Sequence, residues 1–210
     1  MFVLLGACLA LLFVRHTASA SLPLEDGALA LPKLTAPVTV ERDGLGVPTI
    51  RGVERVDVAR ALGLPHAQDR FFQMDLLRRR AAGELAQLFG PAALAADRSV
   101  RLYRFRKVAE RVMASSSGRE KAIVQAYAEG VNAGLDALGA RPPEYLLLRA
   151  APAPWKDEDS VLVLLAMFLD LHRGQTARES PAARVRATPA KPLSAFLLAG
   201  GTEWEELLGG

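Results

Sequence analysis

His66, Gln68, Asp69 and Arg70 stand together in the run LPHAQDRFFQMDLLRRRAAGELAQLFG, residues 64–90. An imidazole near a carboxylate is the usual vocabulary of general acid–base catalysis. The helical spacing of the run argues for a different use. Adjacent positions on a helix point in different directions, so the run as a whole does not converge on one point as a catalytic triad must. Gln68, Asp69, Arg78 and Arg79 are better suited to buried or half-buried hydrogen bonds and ion pairs that fix a helix against a sheet.

Arg78, Arg79 and Arg80, with Arg98, Arg101, Arg104 and Lys107 at three-residue intervals, form a basic stripe that a nucleic-acid reading would claim. The expectation is instead a solvated or salt-bridged face, with no nucleic acid as partner. An export signal removes most contact with nucleic acid, and Asp75, Glu84 and Asp97 are acids within reach of these arginines. The net charge of +3 implies no partner by itself.

The elements that must position these residues follow from pattern. In VTVERDGLGVPTIRG, Val38 and Val40 alternate with Thr39 and Glu41, Gly44 and Gly46 punctuate, and an extended run resumes at Val47, which is a β-hairpin signal. Pro48 cannot donate to a ladder, so the second strand belongs at an edge or a bend. From Asp57 the period becomes helical, with Pro65 as a break and Gly90-Pro91 as the end. A helix-bearing stretch follows from Arg98 to Met113. Ser117 and Glu120 then form a capping box opening a helix whose face carries Ile123, Tyr127, Val131, Leu135 and Leu138, with Gly139 as the stop. A proline-framed loop ends at Trp155. Asp157, Glu158 and Asp159 sit where a helix N-terminus favours negative charge. Val161 to Leu169 is apolar all round, which predicts a helix buried on every side in the core of something larger.

The chain has 210 residues, half of them apolar, enough for one sizeable domain. Its first fourteen residues form an uncharged apolar run, and Ala18 and Ala20 match an A-x-A cleavage site, so residues 1–20 read as a secretory signal or a retained membrane anchor, with export as the expected destination. Cys8 follows Leu5-Gly6-Ala7 as in a lipobox, although the apolar run continues past it. Removal of the signal would leave no cysteine, hence no disulfide. Cleavage after Ala20 would expose Ser21, but a nucleophile activated by its own α-amine needs a cleft. Ser21 heads Leu22-Pro23-Leu24, which has the composition of a linker.

The order HAQDR, FQMD, RR and G-E-L-A resembles the penicillin acylase family of N-terminal-nucleophile hydrolases, in the α-subunit segment upstream of self-cleavage. Arg42, Asp43, Gly46, Pro48 and Ile50 match that family's R-D-x-x-G-x-P-x-I, and Gly201, Thr202, Glu203 and Trp204 match its linker before the β-subunit, whereas Glu205, Glu206 and Leu207 depart from it. The resemblance implies an α+β fold, a mainly helical α-subunit with a short hairpin, as part of an αββα sandwich completed by a β-subunit. It divides the chain into the signal or anchor (1–20), a linker (21–37), the α-subunit-like domain (38–180), and an irregular segment running into the pre-β linker (181–210).

In such an enzyme the β-subunit's N-terminal Ser attacks a linear amide, and this chain supplies scaffold, no catalytic residue, and part of the acyl pocket. The resemblance assigns Phe168, Met167 and His172 to substrate binding, and Glu179 to a structural Ca2+ completed by the β-subunit; no organic cofactor is implied. The expected partners are the β-subunit of the same precursor, as a heterodimer, and a small N-acyl amide. Two other readings stay open: the same fold acting on acyl-homoserine lactones or other N-acyl compounds, and a non-catalytic exported helical protein.

Overall fold

The computed structural model describes the backbone of residues 26–187 and side chains as far as residue 172, together with Gly6, Cys8, residues 11–12, 15–17 and 19–23. The chain divides into two compact units, Met1–Ala166 and Met167–Gly210. The signal-like residues are described only in part; those between Gly6 and Ala20 are helical, and Cys8 is exposed. Among the described residues no helix is long and apolar enough to cross a membrane.

The first unit is mainly helical with one hairpin. Strands β1 (Thr39–Arg42) and β2 (Pro48–Arg51) pair antiparallel, with Val40 opposite Ile50 and Arg42 opposite Pro48. Asp43 builds the turn: its Oδ1 accepts the N–H groups of Leu45 and Val47 at 2.9 Å each, and Gly46 takes φ 78°. Pro48 opens β2 at the turn, where it interrupts no interior ladder.

Helix α1 (Arg55–Ala82) runs straight through Pro65, where the sequence predicts a break. The departure from helical geometry comes at Arg70 (φ −145°, ψ 25°), rather more than a turn later. Proline removes one N–H and crowds the carbonyl four residues back, so a helix held by packing on both sides can absorb it and bend nearby. The end is also earlier than Gly90-Pro91 suggests. Gly83 takes φ 70°, its N–H reaches Arg80 O at 3.3 Å, and Glu84 N–H reaches Arg79 O at 2.8 Å, closing the helix in a Schellman turn.

Short helix α2 (Ala86–Phe89) and a 3₁₀ turn (Gly90–Ala93) lead into α3 (Leu94–Arg101). The predicted basic helical stretch is thus two helices, α3 and α4 (Phe105–Ser115), broken at Arg104 with φ 54°. Helix α5 (Gly118–Asp136) opens on the predicted capping box: Ser117 Oγ accepts Glu120 N–H at 3.3 Å, and Glu120 Oε2 accepts Ser117 N–H at 2.8 Å. It ends at Asp136, ahead of Gly139.

Helix α5 lies directly on α1, and glycine makes that contact. A Cβ at Gly130 would stand 1.8 Å from Arg60 O, one at Gly63 2.4 Å from Tyr127 O, and one at Gly134 2.5 Å from Leu64 O. Side chains would hold the backbones apart. Around this seam Ala67, Phe71, Ala128, Val131, Tyr145 and Trp155 form the core. Tyr145 comes from the short helix α6 (Pro143–Leu147), and Trp155 from the proline-framed loop, pinned by Asn132, which accepts Trp155 N–H at 2.7 Å and donates to its carbonyl at 2.9 Å.

Helix α7 (Asp157–Ala187) carries its backbone past Pro181, where the sequence predicts irregular chain. Within this chain its apolar stretch keeps one open face, compatible with a core larger than the chain. Leu162 and Ala166 are fully buried, whereas Leu164 in the same unit is 64% exposed. The sequence pattern cannot distinguish a helix enclosed by its own chain from one with a bare apolar face.

Candidate functional site

A charge cluster lies under α1, where the sequence offers Asp75, Arg78 and Arg79 at helical spacing. Spacings of three and four residues put both arginines on the carboxylate's side of the helix. Asp75, wholly buried, accepts from Arg78 Nε at 2.7 Å and Arg79 Nε at 2.8 Å through Oδ1, and from the Tyr145 hydroxyl at 2.7 Å through Oδ2. Arg78 also donates to Asp159 Oδ2 at 2.5 Å and to the carbonyls of Pro154 (2.8 Å) and Ala153 (2.7 Å), while its guanidinium lies 5.0 Å from the Trp155 ring. Arg106 completes the set, bidentate on Glu84 at 2.7 Å and 3.3 Å from Asp159 Oδ1.

Every charge there has a partner of opposite sign, and the arginine forks hold the proline loop and the start of α7 against α1. Burial and the neighbouring Asp75 carboxylate push the Tyr145 phenol far above the ordinary tyrosine range, so it serves as a fixed donor. This is scaffold chemistry.

Asp69 is equally committed. Its carboxylate takes both nitrogens of the Arg42 fork at 3.0 Å each, tying α1 to the hairpin as the sequence suggests. His66 turns elsewhere: its Nδ1 lies 3.0 Å from Tyr127 Oη, and the rings meet edge to face. Burial lowers the His66 pKa, and burial raises that of Tyr127 to about 12. No acid–base pair forms from this block. Gln68, 7% exposed, borders a cavity of about 550 Å³ also lined by Leu31, Leu34, Val38, Val40 and Leu64. Asp97, expected to meet arginines, accepts the N–H groups of Leu85 (2.9 Å) and Ala86 (2.8 Å) instead.

Sequence spacing does not reveal a second polar centre. Asp57 Oδ2 accepts Thr35 N–H (3.0 Å), Thr35 Oγ1 (2.5 Å) and Ala36 N–H (3.2 Å), with Arg60 3.7 Å from its other oxygen. The Thr35 hydroxyl bond, more than any other contact, lowers the Asp57 pKa. Arg60 also donates to Glu129 Oε2 at 2.7 Å, and Lys33 pairs with the other Glu129 oxygen. These contacts fasten residues 33–36, expected as linker, to α1 and α5. The only sequence signal was Asp57 itself in the first turn of a helix.

The predicted pocket residues lie in the second unit. Phe168 and His172, four apart on α7, meet with ring centroids 3.9 Å apart and planes tilted by 32°, and His172 Nδ1 lies 2.8 Å from Phe168 O. Met167 is 56% and Phe168 46% exposed. The structure therefore brings Phe168 and His172 together as one aromatic surface, with Met167 adjacent. Glu179 sits on the α7 backbone, but its side chain lies outside the described residues, as do residues 188–210 with the linker-like tail. Among the described residues no three His, Cys, Asp or Glu side chains converge as a metal site.

The family described as penicillin amidase matches residues 37–205. The penicillin acylase 2 proenzyme of Pseudomonas sp. (strain SE83) is 43% identical over 155 residues, covering 74% of this chain and 20% of that protein. The acyl-homoserine lactone acylase QuiP of Pseudomonas fluorescens is 37% identical over 158 residues, 75% of this chain and 19% of that protein. Among solved structures, a thermostable penicillin G acylase from Alcaligenes faecalis superposes with a TM-score of 0.64 at 27% identity, covering 77% of this chain and 88% of the matched one. The chain spans about a fifth of the length of the curated relatives it matches.

Proposed function

Since the chain belongs to the penicillin amidase family, we propose that it is the α-subunit portion of an amidohydrolase precursor that cleaves linear amide bonds of N-acyl compounds. One observation carries this reading: the match runs through the hairpin, α1, the charge cluster and α7, the parts that give the chain its architecture. In this reading the helices form one layer of an αββα sandwich, and a β-subunit of the same precursor supplies the rest as a heterodimer. The β-subunit's N-terminal Ser attacks the amide carbonyl with its own α-amine as base, donors preset in that subunit hold the oxyanion, and water releases the acyl group. The present chain contributes no reacting atom. It acts by position, with Phe168, His172 and Met167 offering an apolar wall to the acyl group.

Two features support the wall. Phe168 and Met167 are large apolar side chains left open to solvent, and the tilted contact of His172 with Phe168 extends the aromatic surface. A structural calcium would have to be completed by the β-subunit. Glu179 supplies one carboxylate, whereas calcium takes about six to eight oxygens.

Names of relatives point to two acyl classes, penicillins and acyl-homoserine lactones. The second reading, an acyl-homoserine lactone acylase, is favoured by the recurrence of that activity among relatives 34–38% identical to this chain. Export is expected of either, with the N-terminal run as signal or anchor.

The deciding experiment expresses the 210-residue chain alone and together with the remainder of its precursor, and assays amine release from benzylpenicillin and from acyl-homoserine lactones of increasing chain length. Turnover is expected only with the remainder present. Turnover by the chain alone would transfer the chemistry to residues described above, and its absence from both preparations would favour a non-catalytic protein.

A further inference from the structure

The basic stripe of α3 and α4 is unexplained by the reading above. The acids that could neutralise it are engaged elsewhere: Asp75 with Arg78, Arg79 and Tyr145, Glu84 with Arg106, and Asp97 with two backbone N–H groups. Among the described residues, the side chains of Arg98, Arg104, Lys107 and Arg111, all exposed or partly so, have no hydrogen bond or ion pair. Lys107 and Arg111, four apart, lie on one side of α4, and Arg104 stands in the turn just before it. Glu110 borders that side as its exposed carboxylate, leaving a clear positive excess with Arg98 and Arg101 from α3.

Between these cations in the chain lies the turn joining the two helices, and it presents apolar surface. Leu102 is 82% and Tyr103 56% exposed. The turn is held in that posture. Tyr103 N–H donates to Val100 O at 3.0 Å, Arg104 N–H to Arg101 O at 3.1 Å, and the Tyr103 ring stacks on the buried Phe105 at 5.2 Å. Arg101 Nε donates to Gly83 O at 2.8 Å, bracing the end of α3 against the end of α1.

We infer that the Leu102-Tyr103 turn is a docking tip for an anionic phospholipid surface. A solvated basic face has no use for a bare leucine and tyrosine between its cations in the chain. A bilayer surface does: leucine inserts below the headgroups, tyrosine favours the interface, and flanking arginines and lysine meet lipid phosphates. Charge complementarity selects anionic lipid, and the braced turn supplies an apolar tip that need not reorganise. Docking by this turn is separate from any anchoring by the N-terminal run, and independent of the amidase reading.

The test uses the full chain carrying Cys8→Ser, with an environment-sensitive fluorophore on Leu102→Cys, or on Leu45→Cys as the control; Leu45 is 90% exposed in the hairpin turn. Vesicles are phosphatidylcholine alone or an equal mixture with phosphatidylglycerol. The expected result is a blue shift and severalfold brightening of the probe at 102 with the anionic vesicles only, none at 45, and at least a tenfold weaker response in Arg98→Gln/Arg104→Gln/Lys107→Gln. Insertion of the N-terminal run would bring both probes to the vesicle without burying either, so it cannot mimic this pattern. The proposal fails if the probe at 102 is unchanged, responds equally to neutral vesicles, or is matched at 45. Brightening that requires the rest of the precursor instead of lipid would overturn it in favour of a protein partner.

Discussion

Tyr145 donates a hydrogen bond from its hydroxyl to Oδ2 of Asp75 at 2.7 Å across 70 residues of chain, closing the one carboxylate that two arginines grip through its other oxygen. The bond joins α6 to α1 at the centre of the core, where Asp75 and Tyr145 both have no exposure. Tyr145→Phe leaves Oδ2 dry and without a donor, at a cost of about 1–3 kcal/mol. Asp75→Ala leaves the buried Arg79 without a carboxylate and Arg78 with Asp159 alone, and should cost about 3–5 kcal/mol. Urea midpoints of the two variants against the parent should fall in that order, and equal midpoints would mean that the carboxylate is not the centre of the cluster.

The seam between α1 and α5 makes a sharper steric prediction. Gly130→Ala places a methyl 1.8 Å from a backbone carbonyl that belongs to another helix, so the helices must separate. Overpacking of this kind costs on the order of 3 kcal/mol. Gly44→Ala, whose Cβ would meet nothing within 4 Å, is the matched control. Thermal unfolding should show a large loss for the first and little change for the second.

Acid should loosen residues 33–36 through Asp57. Three donors on its Oδ2, led by the Thr35 hydroxyl, lower its pKa below the ordinary aspartate value near 4. A carboxylate whose folded pKa is depressed stabilises the fold fully above its unfolded pKa, and that contribution is lost as pH falls from about 4 through the folded value. Thr35→Val removes the leading cause. The variant should be less stable at neutral pH, and its stability should vary less below about pH 4 than the parent's, as followed by urea unfolding at successive pH values. Parallel curves with an unchanged slope would refute the assignment.

Local signals in the sequence specify the structure where the determinant is local. The hairpin followed from Gly44, Gly46 and Pro48, the start of α5 from Ser117 and Glu120, and the structural role of Asp69 and Arg78 from their spacing. Pro65 misled because its cost depends on what holds the helix on either side, and α5 holds it through Gly130 and Gly134. Gly83 is masked as the end of α1 because apolar Leu85 and Leu88 continue the helical period beyond it. Asp97 illustrates a deeper limit: an acid near arginines on paper can find backbone N–H groups first. The assignment of Met167 and Phe168 to a pocket comes from the resemblance alone, since periodicity places them in an ordinary core, and they are exposed.

That exposure leads to a kinetic prediction within the proposed enzyme. If Phe168 forms part of the acyl wall, Phe168→Ala in the completed precursor should raise KM for substrates with long or aromatic acyl groups about tenfold, a loss near 1.4 kcal/mol. Substrates with short acyl groups should change little, because they bury less of the ring. A uniform fall in kcat across the panel would instead indicate impaired assembly or misplacement of the reacting carbonyl.

Arg42 and Asp69 allow the link between hairpin and helix to be measured without touching the core. Their paired bonds at 3.0 Å join β1 to α1 one residue before the kink at Arg70, and Arg42 also donates to Gly46 O at 3.0 Å, so one guanidinium braces both the hairpin turn and the helix. The pair is about a quarter exposed on each side, which screens it, yet its bidentate geometry keeps it above an ordinary surface ion pair. Double-mutant cycles with Arg42→Ala and Asp69→Ala should yield a coupling near 1 kcal/mol that shrinks at high salt. Hydrogen exchange should become faster at Leu45 and Val47 in Arg42→Ala and much less so in Asp69→Ala, since only the first removes the brace on the turn. Equal acceleration in both variants would show that the turn depends on docking to α1 and not on the Gly46 contact.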